Sequence, residues 1–528
     1  MTDSYNYDRI PYKSRAIPKT HPDHLAAMAT LFGMKPRDIR NSRILELGCG
    51  DGANLIPMAY GLPDSELIGI DLSENAISKG QDMIGCLGLK NITLRNADIM
   101  NVGRDMRQFD YIIVHGVFSW VPHTVQERIL DICKNSLAIQ GVAFISYNTY
   151  PGCHLRCIVN EIMRFHTDHF PEPEQKITQA RAILKFIADA APSVTEAYGQ
   201  VLSEEFRSLT EMNPDANSNY LHHDRLAEIN QPFYFHEFTD RIGRHGMKYL
   251  AEADFFEMQD FFFEPNIRAM LRNLSGSSIL VKEQFMDFIK GRRFRQTLLC
   301  HEEVSLDRVL HPKLMRNFCF SCPSRPVDEN GEYLETDLQD LVTRENLKFR
   351  RPGGSVLETD HPVPRAALAT LSRVWPMRLS FDELMSAGRM HQPQVSEDGD
   401  MALCDILLSA FSGNMVELHV HAPQFAAEPG EYPVASAIAT HQIRAEYLRV
   451  TNLCHKTVEL NHTYGHFLLP LLDGTRDRQA IYAEMPEIIR ANDVPLNGKS
   501  PSEKTTGELI AEIDAELLNC AKYALIMK

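Results

Sequence analysis

The sequence predicts an α/β protein that is built on a parallel sheet and followed by further domains. Between residues 43 and 146, short β-branched runs alternate with helical segments, as in strands joined by crossover helices. The chain has 528 residues, more than one hydrophobic core usually organises. Its content of 44% apolar and 23% charged residues is typical of globular proteins. We therefore expect several packed domains rather than a disordered or fibrous chain.

The charge of the chain disfavours nucleic acid as a partner. The protein has 54 Lys and Arg residues against 70 Asp and Glu, a formal net charge of −16, whereas binding to a phosphate backbone is driven by basic side chains. Residues 1–170 carry 17 basic and 18 acidic side chains, so nearly all of the acidic excess lies downstream. We expect no nucleic-acid partner and an acidic surface beyond the N-terminal region.

Nothing in the sequence resembles a targeting or membrane segment. The first residues contain neither a basic n-region nor an apolar h-region, and polar residues interrupt the longest uncharged stretch. The eleven cysteines are odd in number and lack regular spacing, which fits reduced thiols. We expect a cytoplasmic protein without membrane insertion.

Five strands are predicted before residue 150, and each ends in small or polar residues. They span residues 43–47, 66–70, 92–95, 109–114 and 142–146. Ligands of open α/β sheets bind at the carboxyl ends of parallel strands. The residues that follow the five strands should therefore meet in one crevice.

The turn after the first predicted strand is rich in glycine. Gly48, Gly50 and Gly52 let the backbone turn sharply and approach a ligand closely. Asp71 follows the second strand, where an acid accepts hydrogen bonds from ribose hydroxyls. The glycine spacing differs from the Gly-x-Gly-x-x-Gly of dinucleotide sites, and Glu46 would repel a phosphate. A buried Glu46 is costly unless a cofactor or a backbone N–H pairs with it.

Three motifs in order resemble those of the class I S-adenosylmethionine-dependent methyltransferases: Leu45-Glu-Leu-Gly-Cys-Gly-Asp-Gly52, Gly69-Ile-Asp71 and Asn96-Ala-Asp98-Ile. The resemblance implies a Rossmann-like, seven-stranded domain and S-adenosyl-L-methionine as cofactor. It places Asp98 at the adenine, although a helix cap is the other reading of that residue. The cofactor-binding residues expected on this basis are Tyr12, Thr20, Glu46, Gly48, Cys49, Gly50, Asn54, Asp71, Leu72, Asp98, Ile99 and His115.

Further segments resemble bacterial proteins that carry a methyltransferase regulatory domain. The segments are residues 7–14, 20–25, 146–152 and 232–238, and the resemblance covers most of the chain. Characterised members of that family are protein-lysine methyltransferases that act on outer-membrane proteins, and they are dimers. The resemblance thus implies a protein substrate methylated on lysine, and a homodimer.

We divide the chain into five regions. Residues 1–155 form the first part of the cofactor domain, 156–230 a helical insertion that serves as a lid or dimer contact, and 231–302 the segment that completes the sheet. The two missing strands are expected at 247–252 and 295–300. Three helix candidates and a strand in region 303–425 suggest a winged helix used for protein contacts. We see no chemistry in residues 426–528.

Five residues after the fourth and fifth strands are candidates for the acceptor pocket. They are His115, Trp120, Tyr147, Asn148 and Tyr150. Aromatic walls tolerate an amine and its methylated cation, although core packing explains Trp120 equally well. The only Cys-x-x-Cys pair, Cys319 and Cys322, has no second pair at ligand spacing, so no metal site is expected.

Two alternatives to a protein-lysine methyltransferase remain open at this point. One is a methyltransferase that acts on a small molecule. The other is a regulatory protein that binds the cofactor and a partner without catalysis. Because one fold hosts many functions, the fold alone does not separate the three.

Overall fold

A computed structural model describes residue 12 and residues 14–103, 106–190, 196–211, 218–351, 355–391, 399–460, 465–494, 500 and 504–528. Its strands, in chain order, are β1 (Arg43–Leu47), β2 (Glu66–Asp71), β3 (Ile92–Asn96), β4 (Phe109–Val114), β5 (Leu137–Asn148), β6 (Met247–Glu252), β7 (Phe294–His301), β8 (Cys319–Ser321), β9 (Arg325–Val327), β10 (Leu347–Arg350), β11 (Val356–Thr359), β12 (Leu379–Ser380), β13 (Glu417–His419), β14 (Arg449–Thr451) and β15 (Thr457–Glu459).

The α-helices, in chain order, are α1 (Pro22–Leu31), α2 (Leu55–Gly61), α3 (Glu74–Leu87), α4 (His123–Ser136), α5 (Cys153–Thr167), α6 (Pro173–Ala190), α7 (Glu196–Thr210), α8 (Phe235–Arg244), α9 (Pro265–Ser275), α10 (Ile279–Lys290), α11 (Leu338–Thr343), α12 (Pro362–Arg373), α13 (Phe381–His391), α14 (Gly399–Ser412), α15 (Ala437–Arg444), α16 (Gly465–Leu468), α17 (Arg478–Ala491) and α18 (Thr506–Lys522).

One seven-stranded sheet organises the N-terminal half of the protein. Its strand order is β3-β2-β1-β4-β5-β7-β6. The first five strands run parallel, and β7 is antiparallel to both β5 and β6. The five predicted strands are confirmed, and the two strands missing from the first 150 residues are β6 and β7. Since the order reverses between β1 and β4, a crevice opens at their carboxyl ends.

The two faces of the sheet belong to two apolar cores. Ile44, Ile113 and Phe144 lie in one core, whereas Leu45 and Ile145 lie in the other. Successive side chains of a strand point to opposite faces, so residues that are two positions apart share a face. Glu46, two residues after Ile44 and paired with Ile113, therefore lies on the first face.

The helical insertion has a small core of its own. Side chains of α5, α6 and α7, among them Val159, Leu184 and Leu202, are buried together. Two aromatic side chains of the same helices remain outside this core, because Phe165 is 89% exposed and Phe186 is 64% exposed. The insertion thus buries part of its apolar surface alone and leaves the rest open.

The region after residue 303 packs against the cofactor domain through α1. Asp23 of that helix is buried and accepts hydrogen bonds from the Nη1 of Arg378, at 2.9 Å, and from the backbone N–H of His421, at 2.9 Å. His419 Nδ1 lies 2.7 Å from the same carboxylate. The Arg378 guanidinium and the contact with His419 keep the pKa of Asp23 well below its usual range in spite of burial.

The last region packs around a core of its own helices and docks on the cofactor domain. Its buried residues include Ala439, Ile481 and Ile513, and the short strands β14 and β15 form a hairpin. Near the C-terminus, Met527 Sδ accepts a hydrogen bond from the hydroxyl of Tyr60 at 3.6 Å. Among the described helices, none is both long enough and apolar enough to cross a bilayer.

Candidate functional site

The glycine turn after β1 is held against the end of β2. The N–H of Gly48 donates to the carbonyl of Ile70 at 2.8 Å, and the N–H of Gly50 donates to Asp71 Oδ2 at 2.8 Å. Gly50 has a φ of +56°, and a Cβ there would lie 2.9 Å from Ser14 Oγ. The left-handed backbone favours glycine at this position. The turn therefore presents its backbone to the crevice with Asp71 fixed beside it.

Glu46 is a buried acid with one unsatisfied oxygen. Its Oε1 accepts a hydrogen bond from Asn54 Nδ2 at 2.8 Å, whereas its buried Oε2 has no partner among the described residues. Burial, as the largest cause, raises the pKa of Glu46 to about 8. A buried carboxyl with a free acceptor is suited to a cationic group, which is what the α-ammonium of S-adenosylmethionine offers.

Asn54 at the start of α2 connects Glu46 to other parts of the chain. Its second N–H donates to Thr20 Oγ1 at 3.0 Å. Its Oδ1 accepts from the backbone N–H of Ile17 at 2.8 Å and lies 3.0 Å from Nε2 of His455. Thr20 is one of the residues expected at the cofactor site, and the structure places it two hydrogen bonds from Glu46, through Asn54.

The remaining expected cofactor residues make less specific contacts. Asp98 accepts a hydrogen bond from the N–H of Met100 at 2.8 Å, so it caps the short 3-10 turn that begins at Ile99. Leu72 is 56% exposed beside Asp71, Cys49 and Ile99 are buried, and Tyr12 is exposed. The two readings of Asp98, a cap and an adenine contact, are compatible because each carboxylate oxygen can accept more than one hydrogen bond.

His115 follows β4 and stands between two aromatic rings. Its ring centroid lies 5.9 Å from that of Phe144 and 6.3 Å from that of Phe294. Burial lowers the pKa of His115 to about 4, with a smaller contribution from Arg15. The imidazole is therefore neutral near pH 7, and its buried Nδ1 has no hydrogen-bond partner in the described part of the chain.

Asn148 and Tyr150 lie beside the segment that precedes α8. Asn148 Nδ2 donates to Asn230 Oδ1 at 2.9 Å. The ring of Tyr150 stacks on His154 at 4.1 Å and lies 5.3 Å from the ring of Tyr234. Asn148 also pairs with Phe294 across β5 and β7. Because the His115 ring lies beside Phe294, His115 and Asn148 lie on one side of the sheet.

Trp120 and Tyr147 occupy different surroundings from the other acceptor candidates. Trp120 ends a short 3-10 turn after β4 and is half-buried. Tyr147 is 1% exposed and stacks on Phe238 at 4.1 Å in the core of the opposite sheet face. Because neighbouring strand residues point to opposite faces, Tyr147 and Asn148 do not line one slot. We therefore do not place Tyr147 in the acceptor site.

Sequence reasoning misses several residues of this site. Tyr234 lies in the aromatic run 232–238, to which the sequence alone assigns no role, and Asn230 lies just before that run. His455 has no local signal, since it comes from a region in which the sequence shows no chemistry. Among the described residues, no group of three or more His, Cys, Asp or Glu side chains is arranged to hold a metal ion.

Comparisons with known proteins show the family of the chain. Three family models match the chain: "Methyltransferase domain" over residues 39–207, "Predicted methyltransferase regulatory domain" over 217–301, and "PKMT, C-terminal winged helix domain" over 431–525. An uncharacterized protein of Rickettsia prowazekii is 31% identical over 526 residues, which cover 98% of this chain and 92% of that protein. The chain belongs to the S-adenosylmethionine-dependent methyltransferases with a methyltransferase regulatory domain.

Solved structures resemble this methyltransferase over its whole length. PKMT2 from Rickettsia typhi is 25% identical, with a TM-score of 0.86 and coverage of 98% of this chain and 100% of that chain. The same Rickettsia protein in complex with AdoHcy gives 26% identity and a TM-score of 0.85.

A family model assigns a winged helix to residues 431–525, a region in which the sequence pattern indicated no chemistry. The three helices predicted in region 303–425 also form, as α12, α13 and α14, and they accompany two small three-stranded sheets. The winged helix expected in that earlier region stays a prediction.

Proposed function

We propose that this methyltransferase transfers methyl groups to lysine side chains of a protein substrate, and that it does so in the cytoplasm. The supporting observation is the likeness to PKMT2 of Rickettsia typhi, which extends over 98% of this chain. PKMT stands for protein-lysine methyltransferase. The likeness includes the insertion, the middle region and the winged helix, all of which lie outside the cofactor sheet and are suited to hold a polypeptide.

In the proposed cofactor site, Glu46 Oε2 accepts a hydrogen bond from the α-ammonium group and Asp71 binds the ribose hydroxyls. Asp71 already accepts one hydrogen bond on each oxygen, from Gly50 N and Ser73 N. Each oxygen of a carboxylate accepts two hydrogen bonds, so both retain capacity for a hydroxyl. Asp98 serves the adenine. The remaining expected residues, which support the loop or line the pocket, are Tyr12, Thr20, Gly48, Cys49, Gly50, Asn54, Leu72 and Ile99.

In the proposed acceptor site, His115 lies beside the lysine. Its unpartnered Nδ1 accepts a hydrogen bond from the neutral amine, because the ring is uncharged near pH 7. Phe294, which is 41% exposed, and the stacked Tyr150 form apolar walls. Asn148 borders the same space from β5.

Bound S-adenosylmethionine supplies an electrophilic methyl group on a sulfonium ion. This methyl group would be the one that a neutral lysine Nζ accepts, with S-adenosylhomocysteine as the leaving group and one amine proton released to solvent. A solvent-exposed lysine has a pKa of about 10.4 and attacks only when it is neutral. Burial among Phe294, Tyr150 and Tyr234 disfavours its charged form. The protein's main contribution is to hold nucleophile and methyl group in line and to exclude water.

Labelling of the acceptor tests this proposal. The full-length protein is incubated with S-adenosylmethionine labelled on the methyl group, together with candidate proteins and a metabolite extract, and labelled sites are located by mass spectrometry. We expect label on lysine, and we expect it to disappear when the amines of the substrate are acetylated beforehand. Label that appears only on metabolites would instead support a small-molecule methyltransferase.

We also propose that the protein is a homodimer, which would cover exposed aromatic side chains of the insertion. Phe165 and Phe186 are the most exposed of these. Light scattering of Phe186→Asp should then show a monomer, whereas Val309→Asp, at an exposed position in the middle region, should remain dimeric.

A further inference from the structure

One side chain of the winged-helix region reaches the cofactor pocket. His455 lies in the turn between β14 and β15, with a φ of +57° and 5% exposure. Its Nε2 is 3.0 Å from Asn54 Oδ1, a residue that precedes it by 401 positions. Its ring centroid is also 5.0 Å from that of His21, just before α1. The imidazole is therefore enclosed between two regions of the chain.

The hydrogen bonds around Asn54 fix the roles of its atoms. Ile17 N is a backbone donor and faces Oδ1, so this atom is the carbonyl oxygen. Both amide protons of Asn54 are in use, one on Glu46 Oε1 and one on Thr20 Oγ1. The hydroxyl of Thr20 donates its own proton to the carbonyl of Ile17.

These roles determine the tautomer of His455. Because Oδ1 of Asn54 only accepts, Nε2 of His455 must carry the proton that it donates. The other nitrogen, Nδ1, is then a bare acceptor, and it is buried without a partner among the described residues. A second proton at Nδ1 would be a buried donor with no acceptor, so the ring is neutral. The pKa of His455 lies well below its usual value because of burial.

We infer that His455 is a positioning residue for the cofactor's α-ammonium group, acting through Asn54 and Glu46. The hydrogen bond from Nε2 restrains the Asn54 amide, and the Asn54 amide restrains Oε1 of Glu46. With Oε1 held, the free Oε2 points in one direction, toward the ligand's cation. The winged-helix region thereby contributes to the cofactor site and not only to protein contacts. This role of His455 rests on the proposed pairing of Glu46 with the ammonium group.

The contribution of His455 should depend on which part of the ligand is present. The chain of hydrogen bonds ends at the amino-acid portion of the cofactor, whereas the ribose is bound by Asp71 on the other side of the glycine turn. S-adenosylhomocysteine carries the ammonium group, and 5′-methylthioadenosine lacks it. Loss of His455 should thus weaken binding of the first ligand and leave binding of the second nearly unchanged.

Calorimetric titration of the full-length protein with both ligands tests the inference. We expect His455→Ala to weaken binding of S-adenosylhomocysteine about tenfold and that of 5′-methylthioadenosine less than about twofold. His455→Gln must adopt the same positive φ as His455→Ala, but it keeps a side-chain N–H donor. It should therefore retain most of the affinity of the unchanged protein. Turnover at saturating cofactor should change less than about twofold, since the residue does not touch the reacting atoms.

Gln442→Ala is the matched control. Gln442 is buried in the same region and makes two hydrogen bonds there, to Thr451 Oγ1 at 3.2 Å and from Thr451 N at 2.6 Å. Its loss should lower the melting temperature without changing the affinity for either ligand. Equal weakening of both ligands in His455→Ala, or no recovery in His455→Gln, would overturn the inference.

Glu46→Gln shows whether a negative result disproves the proposed ammonium site or only the proposed role of His455. If this variant binds S-adenosylhomocysteine as tightly as the unchanged protein, the proposed ammonium site fails, and the inference fails with it. If Glu46→Gln weakens binding but His455→Ala does not, only the role of His455 is wrong. In the double variant, the combined loss should be smaller than the sum of the two single losses because both act on one contact.

Discussion

Glu46 is the residue whose charge state should respond to the cofactor. In the ligand-free protein its pKa is raised to about 8 by burial, so the carboxyl is mostly protonated at pH 7. An ammonium group beside Oε2 favours the carboxylate and lowers that pKa. Binding at pH 7 should therefore release close to one proton.

This proton release sets the sign of a pH dependence. Between pH 6 and 7.5 the free protein holds a proton on Glu46 that the complex lacks, so the affinity for S-adenosylhomocysteine should rise about tenfold per pH unit. Calorimetry at pH 7 in two buffers of different ionisation enthalpy measures the released proton directly. Glu46→Gln, which has no proton to lose, should show neither effect. An affinity that is constant over this range in the unchanged protein would contradict the assignment.

Asp71 should contribute to cofactor affinity through its charge. Loss of charge-assisted hydrogen bonds to the ribose should cost about 1.5–3 kcal/mol, which corresponds to about ten- to 150-fold in the dissociation constant. Asp71 also accepts the hydrogen bond from Gly50 N. Asp71→Asn keeps one oxygen for that hydrogen bond, so it separates the loss of charge from a change in the glycine turn. Calorimetric titration of Asp71→Asn and Asp71→Ala measures both losses, and unchanged affinity in Asp71→Ala would mean that the ribose lies elsewhere.

At the scale of elements, the sheet depends on strands that come late in the chain. β5 pairs with β7 over Ala143 to Asn148, and β7 in turn pairs with β6. A fragment of residues 1–155 lacks both later strands, so the buried strand β5 becomes an apolar edge. We expect this fragment to aggregate. Sedimentation and circular dichroism give the readout, and a soluble 1–155 fragment that unfolds cooperatively would show that β7 is dispensable.

Much of this sheet was predictable because its signals are local. The strands before residue 150 show as apolar runs that end in small or polar residues, and β6 and β7 show in the same way. The sequence also contained the information that separates Tyr147 from Asn148, since the alternation of a strand places them on opposite faces. The local sequence pattern does not predict that His455 is a partner of Asn54, because the two residues are 401 positions apart. Such pairs are set by how regions dock, not by spacing along one element.

At the scale of the whole molecule, charge is unevenly distributed. The net charge is −16 for the full chain, and residues 1–170 contribute almost none of it. A basic or lysine-bearing substrate should be attracted by the acidic remainder, an effect that fades as the Debye length falls from about 10 Å at 0.1 M salt to about 3 Å at 1 M. Methylation should slow with salt through a higher KM for the protein substrate.

The cofactor provides the internal control for this salt dependence. The residue proposed to bind its ammonium group, Glu46, is buried, so the dissociation constant of the cofactor should change little over the same range. Steady-state kinetics at several salt concentrations, with calorimetry of S-adenosylhomocysteine alongside, measures both quantities. A KM for the protein substrate that does not change with salt would show that the acidic surface has no part in substrate capture.

The contact between Asn54 and His455 also bears on how the protein is made. On a ribosome that adds about 5–20 residues per second, the 401 residues between them take about 20–80 s to synthesise. During that time the glycine turn and Glu46 have already emerged, but the histidine that restrains Asn54 has not. A nascent or prematurely terminated chain that lacks His455 should therefore bind the cofactor at least about tenfold more weakly than the finished protein.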